Sequence, residues 1–482
     1  MKLLAPMFLV IAVALIALAI SMFAPALVGL YYNTGNTSEF IYSALACLLC
    51  GALFWVLGLA YRTSHLFTRQ MFMITGGTWF MIPLFASLPL LFTRADLSTT
   101  DAIFETVSGL TTTGSTILSG LDAMPQDILL WRSLLQWLGG IGIICMAVAI
   151  LPFLKVGGMR LFQTESSHWS EDNAPRAQQL VKSIIYIYVI LTVLCTAAYI
   201  FTGMGVLEAV NHAFATLSTG GFSTTDQSFT GRSYVTQWVA IIFMLAGAIP
   251  FVLYVYLYSA KKFIILRDRQ VRGMLYLITA ITLAVTANRY LTGAHNLFED
   301  FTIAAFNVTS IVTTTGFASA DYATWSSFCL ALFFFAIFVG GCSGSTSGGT
   351  KVFRFQLFLI LLKEQLSRLV HPRLRTTRKY NNQVIGSEVI TALIAYIFVL
   401  ISSLIVLTLG LTLTDLDLIT SLTGSATALM NVGPGLGDII GPSGNFSSLS
   451  DSAKWLLSIG MIMGRLEFLT ILILFTPSYW RG

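Results

Sequence analysis

The sequence predicts an all-α polytopic membrane protein made of two N-terminal spans and four parallel repeats. Three observations carry that expectation. The 482-residue chain is 56% hydrophobic and only 10% charged, with a mean hydropathy of +0.79, too apolar for a water-soluble domain of this length. Ten stretches are apolar for the roughly 20 residues that a helix needs to cross a bilayer. Between them, a short apolar run ending in a small-residue turn with glycine occurs four times.

In chain order the expected spans are about 5–30, 41–61, 71–92, 127–151, 181–202, 236–258, 273–292, 328–350, 385–411 and 453–476. Residues 3–30 are apolar for longer than a signal-peptide core. Ala24-Pro25-Ala26 imitates a cleavage site, but proline disfavours cleavage, so the segment reads as a spanning helix. The short runs are Asp101 to Leu110, Leu207 to Leu217, Phe301 to Val312 and Leu416 to Leu429, each too short to cross. They read as re-entrant helices, which membranes tolerate only where the irregular backbone is buried or lines water.

After the first two spans, the order span, short helix, glycine turn, span recurs four times. The proposed division is 1–65 for the two extra spans, then repeats over 66–155, 156–260, 261–365 and 366–482. Each unit crosses twice, so all four enter from one side. Inverted repeats, frequent in secondary transporters, place a site at the midplane instead. Four parallel span–pore-helix–filter–span units form a pseudo-fourfold pore.

Charge supports one orientation. With both termini cytoplasmic, most of the 27 Lys and Arg fall in inner loops, as the positive-inside rule requires. Most of the 22 acids fall outside, Asp101, Glu105, Asp127, Glu208, Asp226 and Asp300 among them. Such an outer mouth concentrates cations within a Debye length of about 8–10 Å.

The turns carry the chemistry. Aligned on Gly114, Gly221, Gly316 and Gly433, they read Thr111-Thr112-Thr113-Gly114, Ser218-Thr219-Gly220-Gly221, Thr313-Thr314-Thr315-Gly316 and Met430-Asn431-Val432-Gly433-Pro434-Gly435. A small cation entering a bilayer loses its water, and a ring of backbone carbonyls is a ready replacement. Glycine supplies the unusual dihedrals that such a backbone needs. Each short helix would aim its partially negative C-terminal end at the cavity.

These four turns resemble the degenerate filter sequences of the Trk/Ktr/HKT superfamily of potassium transporters. The two extra spans and the Asn431-Val432-Gly433-Pro434-Gly435 turn are most similar to its bacterial TrkH branch, and the likeness covers essentially the whole chain. The resemblance implies potassium coordinated by carbonyls of Thr112, Thr113, Thr219, Gly220, Thr314, Thr315, Asn431 and Val432, with Gly114, Gly221, Gly316 and Gly433 permitting the backbone. In this family a serine at the first glycine position accompanies sodium permeability, so Gly114 implies a potassium preference. It also implies a homodimer in the bacterial inner membrane, surrounded by lipid and regulated by a cytosolic ring of TrkA-like nucleotide-binding subunits. No organic cofactor is implied on this chain.

Two further features stand below the filter. The eighth span is interrupted by a run that includes Gly344-Ser345-Thr346-Ser347-Gly348-Gly349 and ends at Lys351. It lacks the strand-and-helix setting of a phosphate loop. It reads either as a flexible linker or as an intramembrane loop that blocks the pore, which resembles the family's gate. Arg465 lies inside the last span, where a charge costs at least about 2.5–3.5 kcal/mol to insert. It reads as an electrostatic barrier in the pore, as the matching family arginine does, or as a structural partner of Glu467 or of carbonyls.

Other functions lack the residues they need. The six cysteines sit in apolar spans without metal-site spacing, and His65, His168, His212, His295 and His371 form no metal-ligand pair. No basic run is interleaved with aromatics for nucleic acid. An intramembrane enzyme would need a paired nucleophile and base, so the chain reads as not an enzyme. The alternative to a gated uptake path is a symporter coupled to protons or sodium, for which Glu467 is nearly the only intramembrane carboxylate. The inner loops 152–182, 259–272 and 351–384 are basic, either docking a regulatory ring or simply obeying the positive-inside rule.

Overall fold

The computed structural model describes residues 4–60, 67–93, 97–149, 174–261, 264–293, 296–373, 377–381 and 383–481. Most of the 152–182 loop, His65, His168, His295 and the proposed repeat boundaries near 65 and 155 lie outside these residues.

Helices α1 (Ala5–Tyr32) and α2 (Thr37–Ala60) form an antiparallel hairpin. Gly51 and Gly58 of α2 let the backbones approach: a β-carbon on Gly58 would lie 2.6 Å from Leu9 Cγ. Repeat one comprises α3 (Thr68–Ala86) with its continuation α4 (Leu88–Phe92), the short α5 (Thr99–Leu110), and α6 (Gln126–Ala149). Repeat two is α7 (Ala174–Phe201), the short α8 (Val206–Leu217), then α9 (Tyr234–Ala248) and α10 (Phe251–Ala260). Repeat three is α11 (Arg269–Thr292), the short α12 (Leu297–Val312), α13 (Ser327–Ile337) and, after a loop, α14 (Val352–Val370). A two-stranded hairpin, β1 (Lys379–Tyr380) with β2 (Gln383–Val384), precedes repeat four: α15 (Ser387–Thr412), the short α16 (Leu418–Met430), α17 (Asp451–Arg465), α18 (Phe468–Leu472) and α19 (Pro477–Arg481).

Among the described residues, seven helices are long and apolar enough to cross a membrane, or nine if two bent pairs each count as one span. The eighth expected span, 328–350, is helical only over Ser327–Ile337 and continues as loop. Two other expected spans are not straight. Helices α9 and α10 meet at 88° across Ile249-Pro250, where proline cannot donate to the helix. Helices α17 and α18 meet at 110°, with Glu467 at φ +62° in the break.

The four short helices occupy the centre, so even their polar residues are buried. Every residue from Ala102 to Leu110 of α5 is buried, as is every residue from Ala304 to Val312 of α12. Caps start three of them. The side chains of Ser98, Asn296 and Asp417 accept from backbone N–H groups of the first turn. At Asp417 the Thr420 hydroxyl and nearby backbone N–H groups hold the carboxyl below its ordinary range. The outer faces expose large apolar side chains such as Val193, Phe201 and Phe398, surface that suits lipid.

Candidate functional site

Each short helix ends in the same backbone device. The residue two before each aligned glycine is left-handed: Thr112 at φ +51°, Thr219 at +51°, Thr314 at +57° and Asn431 at +55°. The next residue donates its N–H back to a helix carbonyl, Thr113 to Ser108 (2.9 Å), Gly220 to Ala215 (2.8 Å), Thr315 to Ser310 (2.8 Å) and Val432 to Thr427 (3.1 Å). This is a Schellman ending with threonine or asparagine in glycine's usual place. A β-branched residue there is a genuine outlier, and such strain gathers at functional sites. The aligned glycines follow at φ +88°, +80°, +87° and +108°.

Contacts between the turns close a ring. A β-carbon on Gly114 would lie 2.2 Å from the Gly220 carbonyl oxygen, and one on Gly221 1.9 Å from that of Thr315. On Gly316 it would meet the Val432 oxygen at 2.3 Å, and on Gly433 the Thr113 oxygen at 2.8 Å. The contacts run from repeat one to two, two to three, three to four and four to one. At each position the neighbour's carbonyl crowds a β-carbon and the dihedral favours glycine. The four glycines line one cavity, together with Ser115, Arg132 and Asp226.

Different side chains brace the chain beyond each glycine. Glu105, nine residues before Gly114, accepts from Ile117 N–H and Thr116 Oγ1, both at 3.0 Å. At the same offset His212 Nε2 meets Ser223 Oγ at 3.3 Å, and Asn307 bonds both the backbone N–H and the hydroxyl of Ser319. In repeat four the offset position is Gly424, and its neighbour Thr423 takes over, bonding Leu436 at both N–H and C=O. Sequence reasoning missed this layer because the four residue types share no pattern.

The acids expected to charge the mouth divide. Glu105, Asp101, Glu208 and Asp300 are ion-paired with Arg132 (2.7 Å), Lys454 (2.6 Å), Arg232 and Arg289 (2.8 Å) respectively. Their charges are answered locally, and Glu105 and Asp300 are fully buried. Asp127 likewise accepts from Thr34 Oγ1 at 2.5 Å. Asp226 lines the cavity itself, where its carboxylate also caps the N–H groups of Gly120 and Leu121.

The loop after α13 lies against the turns on their helix side. Gly348 N–H donates to Thr314 Oγ1 (2.6 Å), Gly349 N–H to Met430 O (2.8 Å), and Thr219 Oγ1 meets Thr346 Oγ1 at 3.3 Å. Arg465 Nη2 donates to the Thr346 carbonyl at 2.7 Å, while Glu467 pairs with Arg354 at 2.5 Å. Arg465 thus binds the loop, and Glu467 is held by a different helix. Lys351 Nζ donates to the Ser347 carbonyl within the loop.

The model of the TrkH cation transport protein family matches residues 38–287 and 287–481. The chain belongs to the TrkH family. It is 47% identical over 479 residues, 99% of this chain and 97% of the relative, to the Trk system potassium uptake protein TrkI of Halomonas elongata. It is 37% identical to Trk system potassium uptake protein TrkH of Escherichia coli K12, covering 96% of each. The crystal structure of the potassium transporter TrkH from Vibrio parahaemolyticus superposes with a TM-score of 0.90 at 34% identity, covering 99% of both chains. The TrkH fold of two leading spans and four repeats is therefore the fold of this chain, and its relatives are named as transporters, not enzymes.

Proposed function

We propose that this chain takes up potassium across a bacterial inner membrane through a filter of backbone carbonyls, with both termini cytoplasmic. The observation that carries the reading is the closed ring, in which the carbonyls of Gly220, Thr315 and Val432 each stand against the preceding repeat's glycine and that of Thr113 against Gly433 of repeat four. With the carbonyls of Thr112, Thr219, Thr314 and Asn431 they supply the oxygens that replace a cation's hydration shell. Relatives along the full length are named for potassium uptake, which supports potassium as the ion.

The loop through Gly344, Ser345, Thr346, Ser347, Gly348 and Gly349 is the gate, seated under three of the four turns. Arg465 is the barrier: its side chain is 5% exposed, one nitrogen holds the loop, and among the described residues Nε and Nη1 have no hydrogen-bond partner. Thr112 Oγ1, Asn431 Oδ1 and Ser347 Oγ are likewise buried and unpartnered, polar groups suited to water or an ion. The Arg354 pairing of Glu467 occupies the carboxylate that proton coupling would use, which favours a gated path over a symporter. A homodimer with a cytosolic nucleotide-binding TrkA-like ring completes the proposal, in keeping with relatives named as parts of a Trk system.

Uptake of radioactive rubidium into proteoliposomes, with and without a proton gradient, tests the reading. Uptake is expected in both conditions; strict dependence on the gradient, or none at all, would overturn it. Shortening the loop between Gly344 and Gly349 is expected to raise basal flux, read in the same assay against the intact chain. A loss of flux in correctly inserted protein would contradict the gate.

A further inference from the structure

The second turn differs from the others in one respect that the ring alone leaves unexplained. The residue before the aligned glycine is Thr113, Thr315 or Val432 in three repeats, all β-branched, but Gly220 in repeat two. A β-carbon on Gly220 would lie 2.5 Å from Gln136 Cδ, 2.7 Å from its Oε1 and 2.8 Å from its Nε2. The space is occupied by a side chain from another repeat. Gln136 belongs to α6 of repeat one and is fully buried.

Its amide is used on both sides. Nε2 donates to the Gly220 carbonyl at 2.6 Å, and Oε1 accepts from Phe222 N–H at 3.0 Å. The amide's orientation follows from the chemistry, since only its oxygen can accept from an N–H. Gln136 thus spans Gly221 and grips the second turn before and after it. Three and four residues on, Gly139 and Gly140 lie on the same helix face. A β-carbon on Gly139 would meet Leu110 O at 1.9 Å, and one on Gly140 would meet Ser218 Cβ at 2.9 Å. This face of α6 is wedged between the ends of the first and second short helices.

The corresponding glycines of repeats two and four are Gly247, which faces Leu217 O, and Gly464, which faces Leu429 O. Three residues before them stand Met244 and Met461, which carry no hydrogen-bond donor. An amide at this position therefore distinguishes the first repeat from the second and the fourth.

We propose that Gln136 is a specificity-determining positioning residue, which fixes the direction of the Gly220 carbonyl and so the ion preference of the ring. This rests on the filter reading above. The carbonyl it holds is the one that a β-carbon at residue 114 would meet, so Gln136 and residue 114 act on the same oxygen. A carbonyl already accepting a hydrogen bond is restrained in direction and shares its electron density with the donor. Both effects set how well that oxygen competes with water for a small cation.

The test compares Gln136→Met, Gln136→Glu, Gly220→Thr and the double variant Gln136→Met with Gly220→Thr, using Gly114→Ser as the reference. The readout is the potassium-to-sodium permeability ratio from reversal potentials in proteoliposomes. Gln136→Met removes both bonds, while Gln136→Glu keeps the acceptor for Phe222 and loses the donor. Each is expected to lower the ratio about tenfold, the effect of one displaced hydrogen bond, with ion flux retained. Gly220→Thr alone is expected to lose flux, and the double variant, which copies the other repeats, to recover it. If Gln136→Met misfolds, Gln136→Glu decides. An unchanged ratio in the Gln136 variants beside a lowered ratio in Gly114→Ser would overturn the role of Gln136 and leave the filter standing. An unchanged ratio in Gly114→Ser as well would overturn the filter reading and this proposal with it.

Discussion

Gly221→Ala is expected to cut rubidium uptake by about a hundredfold while the protein still purifies as a single species. The added β-carbon would sit 1.9 Å from the Thr315 carbonyl oxygen, the tightest of the four contacts between neighbouring turns. Backbone lies on both sides, so no flexible side chain can yield. The left-handed dihedral of +80° adds about 1–2 kcal/mol for any residue with a β-carbon. Relief requires the second and third turns to part by more than an ångström, and a misplacement of that size at a reacting or binding centre commonly costs about a hundredfold. The short helices behind the turns are held by their own caps and ion pairs, so the damage should remain local. Uptake within twofold of the unaltered chain would show that the ring does not carry the ions.

The second large effect concerns stability. Arg354→Met is expected to destabilise the protein by about 3–5 kcal/mol, because it leaves the Glu467 carboxylate buried without its partner. Arg354 is fully buried, donates to Glu467 at 2.5 Å and to the Thr350 carbonyl at 2.9 Å, and stacks 3.7 Å from the Tyr396 ring centroid. The pair ties the start of α14, directly after the loop, to the break between α17 and α18. Combining Arg354→Met with Glu467→Leu removes both charges and is expected to recover most of the loss, since buried pairs exchange for apolar residues at little net cost. Thermal unfolding in detergent reads both variants. Equal destabilisation of the single and the double variant would show that the residues matter for shape alone.

The repeat architecture was legible because glycine turns and apolar runs are local signals, recurring about every hundred residues. The loop after α13 was equally plain, as a glycine- and serine-rich interruption of a span. Side-chain partners were not legible, because their separation in the chain is arbitrary. Arg132 pairs with Glu105 across 27 positions, and Asn431 Nδ2 reaches Thr113 Oγ1 across 318. Glu105 illustrates the cost: read as one more acid of an open mouth, it is a buried brace of the first turn. Pro250 could have announced the bend between α9 and α10. The sharper bend at Leu466-Glu467 has neither glycine nor proline within it, only Gly464 just before. Gln136 is a polar residue within an apolar span, and only the neighbouring turn gives it meaning.

Because the ring of turns is drawn from one polypeptide, its four sides are under separate genetic control. Where identical subunits enclose an opening, a single codon change lands on every side at once, and small adjustments are hard to make. Here a mutation touches one quadrant only, which allows the asparagine-valine side to drift apart from the threonine sides. Tuning by quarters, with three sides left as they were, is a route open to this architecture and closed to a homotetramer.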